Sequence, residues 1–171
     1  MNEESRLFII ISKHRLVSHY LPNFQSCLGV LSDHLLWLEE SENQNSIGGI
    51  ILHVLEHIRR NMERYLDPGV KFTSGIEKLF PNDSFGPDEL KERAYEVFQY
   101  WQKALDESDK DSIDLYSLYH LIEHTGYHLG QVVDRTQRLV GVKFDFVHAG
   151  INEKNLKIIV ERELEEGTNI R

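Results

Sequence analysis

The chain has 171 residues, 40% of them apolar, and 28 acidic side chains against 19 Lys and Arg give a formal net charge of −9. That length suits a single domain, residues 1–171, around one core, and a negative surface repels phosphate backbones and anionic membrane surfaces, which argues against nucleic acid and membrane as partners. One cysteine excludes an intrachain disulfide, and the apolar run from Leu7 to Ile11 is too short for a signal-peptide core or a membrane span, so the chain reads as cytoplasmic.

The first helical pattern covers residues 10–31, with Leu16, Tyr20, Phe24, Leu28 and Leu31 on one face. Pro22 lies inside it, so the helix kinks or restarts there. Cys27 sits in the same apolar pattern and reads as a buried structural thiol rather than a nucleophile. A second helix starts after the N-cap pair Asn45 and Ser46 and runs to about Leu66, where Asp67, Pro68 and Gly69 stop it. The linker 67–86 is long for a connection between bundle helices and is expected to cross the bundle end or shape a pocket mouth. A third helix follows Gly86, with Pro87 and Asp88 in its first turn and a stripe of Leu90, Ala94, Val97, Phe98, Trp101 and Leu105.

The fourth helix is predicted over 113–139, ending near Gly141, and a short last helix over 155–164 follows the loop 143–151. Phe144, Asp145, Phe146 and Val147 are the one short candidate for a strand. Four amphipathic helices in one acidic chain imply an all-α four-helix bundle with a short C-terminal helix. Gly126 and Gly130, four apart on the fourth helix, permit close approach of another helix. They serve either a homodimer contact or packing within the chain. The scattered cations, Arg59, Arg60 and Arg64, then Arg135 and Arg138, read as solvated helix faces, with a small basic rim around a pocket for an anionic ligand as the alternative.

Nine histidines are present, and five of them fall on two helices: His53 and His57 on the second, His120, His124 and His128 on the fourth. Residues four apart on a helix lie one above the other, so two imidazoles at that spacing can face one metal ion. Random placement of nine histidines gives roughly 0.4 such pairs; the three found here favour a site over chance, although surface histidines also fall into this spacing. On the fourth helix His128 lies at the edge of the apolar arc, His124 one step out and His120 further, which ranks them for ligation in that order. On the second helix periodicity favours His57, which borders the arc of Ile47, Ile50, Val54 and Ile58, and places His53 on the polar side. Gly49, four residues before His53, leaves room for a close neighbour on that face.

The stretch from Ser46 through Gly48 and Gly49 to His53, and the stretch from His124 through Gly126, Tyr127, His128 and Gly130 to Gln131, resemble the two signature helices of the DinB-like superfamily. The resemblance extends to Trp37 and to the turn Asn152, Glu153, Lys154, and so covers nearly the whole chain. It implies a four-helix bundle of DinB-like type with one divalent metal held by His53, His124 and His128, against the periodicity choice of His57. His57 then becomes a supporting or substrate-facing group, and His120, Gln131, Tyr127 and Glu123 are further candidates for such roles. Bundle-face pairing in relatives adds to the expectation of a homodimer.

Three imidazoles without a carboxylate leave the ion its full charge and open positions, the pattern of a catalytic rather than a structural site. Zinc, nickel or iron would each accept the set. Such an ion acidifies a water or thiol and polarises a carbonyl. The resemblance implies a thiol-dependent S-transferase or isomerase that uses a low-molecular-weight thiol such as bacillithiol or mycothiol with a small-molecule substrate. The alternatives are a metal-dependent hydrolase and a non-catalytic metal-binding or dimerising bundle. No catalytic residue is assigned; Glu56, Glu123 and His57 are acid–base candidates that read more readily as surface or supporting residues. A ferritin-like di-iron site is excluded by the residues three after Glu56 and Glu123, which are Arg59 and Gly126 where histidine would be needed. Binding requires neutral imidazoles, which at the ordinary histidine value implies loss of metal below about pH 6.5.

Overall fold

Pro22 neither breaks nor sharply ends the first helix. In the computed structural model, which describes residues 2–168, α1 (Glu3–His14) passes into a π-helical stretch (Arg15–Tyr20) and then into α2 (Leu21–Leu28). The Leu21 N–H reaches the Leu16 carbonyl, five residues back, and Pro22 falls in the first turn of α2, where a missing N–H costs little. The helix begins seven residues earlier than periodicity placed it, because Asn2 caps it by accepting the Ser5 N–H and Glu3 and Glu4 occupy its first turn.

A short helix α3 (Asp33–Leu36) leads to α4 (Ile47–Leu66), capped by Ser46 Oγ, which accepts the Gly49 N–H at 3.0 Å. The linker after α4 carries a single 3-10 turn (Ile76–Lys78) and is otherwise irregular. The helix α5 (Pro87–Glu107) starts with proline in its first turn as predicted. The next helix, α6 (Leu115–Val140), is capped by Asp114 at its start and by Gly141 at φ +73 at its end. Asp114 accepts the Tyr116 N–H, which is why α6 begins two residues later than the sequence suggested. The last helix, α7 (Glu153–Thr168), is longer than expected at both ends, and residues 144–147 are loop and turn; no strand occurs among the described residues.

The rods α1–α2, α4, α5 and α6 enclose one apolar core. The helix α4 packs on α5 and α6, and α2 packs on the same two helices from the other side. Trp101, Phe24 and Phe98 are fully buried there, the two phenylalanines edge to face at 6.4 Å. The Trp101 indole donates to Asn61 Oδ1 at 2.9 Å, which satisfies a buried amide. Cys27 is fully buried, and burial pushes its thiol up to about 12, as a structural thiol requires. No helix of the described residues is long and apolar enough to cross a membrane.

Helix α7 docks on α1 through a small separate cluster of Ile10, Leu156 and Val160. Around it Glu163 accepts from His14 Nε2 at 2.6 Å and Lys13 Nζ at 2.5 Å, and Lys13 also reaches Asp106 at 3.1 Å. The His14 contact first, then Lys13, holds the Glu163 carboxyl down at about 2 from 4.5. A depressed carboxylate stabilises the fold fully above its ordinary value and loses that contribution as pH falls through its folded value. The difference in unfolding free energy between wild type and Glu163→Gln is therefore expected to be constant above about pH 4.5 and to vanish toward pH 2, with a size on the order of 1 kcal/mol. A difference that stays constant down to pH 2 would show that Glu163 acts through packing alone.

Candidate metal centre

Helix α4 carries His53 and His57 one turn apart, and α6 carries His120, His124 and His128 over two turns. The two helices pack directly on each other, so both histidine rows meet at one end of their interface. His53 Nε2 lies 3.0 Å from His124 Nε2, and His128 Nε2 lies 3.2 Å from the same atom. Three nitrogens placed 2.0–2.1 Å from a tetrahedral ion stand about 3.3 Å apart, so the spacing found is close to that of a ligand set. This three-histidine group can hold a metal ion.

The far nitrogens decide which protons the near ones carry. His53 Nδ1 lies 3.0 Å from the Leu79 carbonyl, which can only accept, so the proton is on Nδ1 and Nε2 presents a lone pair. His128 Nδ1 faces Gln131 Oε1 at 2.8 Å and is fixed in the same tautomer. Two lone pairs thus converge on His124 Nε2, which has at most one hydrogen to give. His124 Nδ1 is buried without a hydrogen-bond partner among the described residues, and its ring lies against His57, with ring centres 3.9 Å apart. Protein atoms alone cannot satisfy this cluster in either tautomer of His124, whereas a cation at its centre accepts all three lone pairs. The Nδ1 anchors on Leu79 and Gln131 are the outer-shell hydrogen bonds that orient ligand imidazoles in metal sites.

Burial keeps the imidazoles neutral. It lowers His53 and His128 below the ordinary histidine value. Helped by the neighbouring rings, it takes His57 to about 4 and His124 to about 3. The lone pairs therefore persist into more acidic solution than the pH 6.5 expected from unperturbed histidine.

The sequence-predicted residues separate clearly. On α6 the exposure gradient matches the predicted order: His128 is buried, His124 half-buried and His120 exposed. On α4 the periodicity reading of His53 as a polar-face residue does not hold; His53 is 2% exposed and is the more buried of the pair. The cause is the linker 67–86, which folds back over that face of α4. Phe80 stacks on the His53 ring at 4.2 Å between centres and 19° between planes. Gly49 permits the approach, since a Cβ there would stand 3.2 Å from the Pro81 carbonyl oxygen. His57 lies just beyond, with its Nε2 buried and unpartnered among the described residues.

A cavity of about 410 Å³ opens beside the three nitrogens, lined among others by His57, His120, Tyr127 and Gln131. Gln131 bridges the site to its rim, donating from Nε2 to Tyr127 Oη at 3.2 Å. Glu123 is exposed and does not line the cavity, and Glu56 is held by Arg59 and Arg60 at 2.7 and 2.8 Å, away from it. The lining also includes Asn45, Glu77, Phe80 and Arg135, which motif reasoning did not select. Arg135 had a signal, four residues after Gln131 and seven after His128 on one helix face. Phe80 and Glu77 had none, because they reach the site only through the path of the linker.

Of the two glycines proposed for close approach, Gly126 packs within the chain, where a Cβ would stand 2.8 Å from the Tyr20 hydroxyl, while Gly130 faces open space. Comparison of the chain with protein-family models, curated proteins and solved structures finds no match.

Proposed function

We propose that this chain is a cytoplasmic, divalent-metal-binding four-helix bundle of DinB-like type. In this reading it is a metal-dependent enzyme that joins a low-molecular-weight thiol to a small-molecule electrophile. The reading rests on one observation: the lone pairs of His53 Nε2 and His128 Nε2, fixed by Leu79 and Gln131, converge on His124 Nε2 in a cluster that hydrogen bonds cannot satisfy. Held there, a divalent ion supplies Lewis acidity, lowering the pKa of a thiol that reaches it and polarising a substrate carbonyl.

The chain's own residues then have separable tasks. Leu79 and Gln131 orient the ligand rings, Phe80 shields His53 from solvent, and His57, with a free buried Nε2 in the cavity wall, accepts or returns a proton at that atom. Tyr127 and Gln131 present hydroxyl and amide groups to a substrate in the cavity. Assembly as a homodimer belongs to the same proposal, with the open face of α6 around Gly130 as the available surface.

The test is metal analysis of the purified protein, followed by turnover with a panel of thiols and electrophiles. The expected results are about one divalent ion per chain and metal-dependent consumption of thiol together with electrophile. Hydrolysis of esters or amides without thiol would assign the hydrolase chemistry instead, and bound metal without any turnover would assign a non-catalytic metal-binding bundle. Protein that takes up no zinc, nickel, iron or cobalt would end the reading.

A further inference from the structure

Among the described residues, the cavity beside the three histidines has one Lys or Arg side chain in its wall. Arg135 projects from α6 on the same face as His128 and Gln131, seven residues and about 10 Å of helix rise beyond His128. Side chains on a helix lean toward its N-terminus, which carries the guanidinium back over the cavity mouth. Arg138, the next cation along α6, is spent on Asp134. Arg135 has no carboxylate partner among the described residues. One of its N–H groups donates to the backbone carbonyl of Asn45, at the start of α4, which fixes the side chain across the two helices. Four of its five N–H donors are left for a ligand. In a protein of net charge −9, an anchored and unpaired guanidinium at the mouth of a cavity is a placed group rather than a share of a balanced surface.

We propose that Arg135 is the specificity determinant of this cavity and that the substrate is a small molecule bearing one carboxylate. Its carboxylate pairs with the Arg135 guanidinium while its other end reaches the three-histidine centre. The inference rests on the metal-site reading above and adds the charge and the orientation of the ligand. One guanidinium, with no lysine or second arginine of the described residues in the cavity wall, balances a monoanion. The Glu77 carboxylate, also in the cavity wall, adds a negative charge that disfavours a phosphate dianion. The planar fork of arginine matches a carboxylate in two parallel hydrogen bonds, which sets the orientation of a ligand as well as its charge. The basic pocket rim weighed above as the minor reading of the arginines is thus confined to this one residue.

Cobalt-loaded protein provides a readout independent of turnover, because a hydroxamate that reaches the ion changes the visible cobalt spectrum. The probes are an α,ω-carboxy hydroxamate with two to five methylenes, its terminal amide and its terminal phosphonate. The carboxylate is expected to bind at least about tenfold more tightly than the amide at the best spacer length. Arg135→Gln should abolish that preference while leaving cobalt affinity and amide affinity unchanged, and Arg135→Lys should keep part of it. Equal affinity for carboxylate and amide in the wild type, or a preference that survives Arg135→Gln, would overturn the proposal, and so would tighter binding of the phosphonate than of the carboxylate. Failure to take up cobalt at all is a separate result, seen before any probe is added, and strikes the metal-site reading rather than the role of Arg135.

Discussion

In His124→Ala, affinity for a divalent ion is expected to fall by more than about a hundredfold, and His53→Ala and His128→Ala should match it. Loss of an outer-shell partner alone costs about 10–100-fold in metal affinity, and each of these three side chains supplies one of only three ligand nitrogens. Gln131→Ala, which frees His128 Nδ1 but leaves its Nε2 in place, should fall within that 10–100-fold range. His57→Ala and His120→Ala should leave affinity within a few-fold of wild type. His120 is exposed, and neither residue places a nitrogen in the ligand group. Cobalt titration followed by visible absorption measures all six variants on one scale. The contrast between His53 and His57 carries the most information. If His57→Ala abolished binding and His53→Ala did not, α4 would present the histidine that borders its apolar arc, as the periodicity alone suggests, and the linker contacts of His53 would be purely structural. If all variants kept the metal, the histidine cluster would not be its site.

Trp101→Ala is expected to destabilise the fold by about 3–5 kcal/mol, the usual cost of truncating a large buried aromatic. The indole is fully buried at the centre of the core and also donates to Asn61 Oδ1, itself on a side chain only 2% exposed. Truncation leaves a cavity and an orphaned amide oxygen together. Against a total stability of about 5–15 kcal/mol for a domain, this is a large fraction. Urea unfolding followed by far-UV circular dichroism would show it as a marked drop in midpoint with little change in slope. Trp101→Phe keeps most of the ring volume and loses the donor, so it should cost less and gives a readable value if the alanine variant does not fold. Tyr100→Ala, one residue away but 61% exposed, should stay within about 0.5 kcal/mol of wild type. A wild-type midpoint for Trp101→Ala would mean that the core does not centre on this residue.

The part of the molecule set by local chemistry was readable from the chain. In the apolar stripe on α5, Leu90, Ala94, Phe98, Trp101 and Leu105 are buried and Val97 is half-buried at its edge, since a 3.6-residue period puts those side chains on one face whatever lies opposite. Ser46 and Gly141 mark helix ends because their capping interactions reach only a few residues. The ranking of His128, His124 and His120 follows from the same period. Helix lengths were less legible at the N-terminus and in α7. The first depends on the Asn2 cap. The second is stabilised by Ile10, Leu156 and Val160 and by the contacts of Glu163 with α1, which join residues about 150 positions apart.

What the sequence alone determined, then, is a set of amphipathic helices and the facts that α6 offers a pair of imidazoles toward its buried edge and α4 offers one of two. The tertiary structure decided which of those two. Periodicity measures burial against the helix core and assigns His53 to water, but burial of a side chain is set by whatever covers it. Here the cover is an irregular linker that lays Phe80 on the His53 ring and the Leu79 carbonyl against its Nδ1. That linker has no period from which its path could be read. The approach of its backbone to Gly49 and the docking of α4 on α6 exist only once the chain has folded, and so does the meeting of three imidazole lone pairs that depends on them.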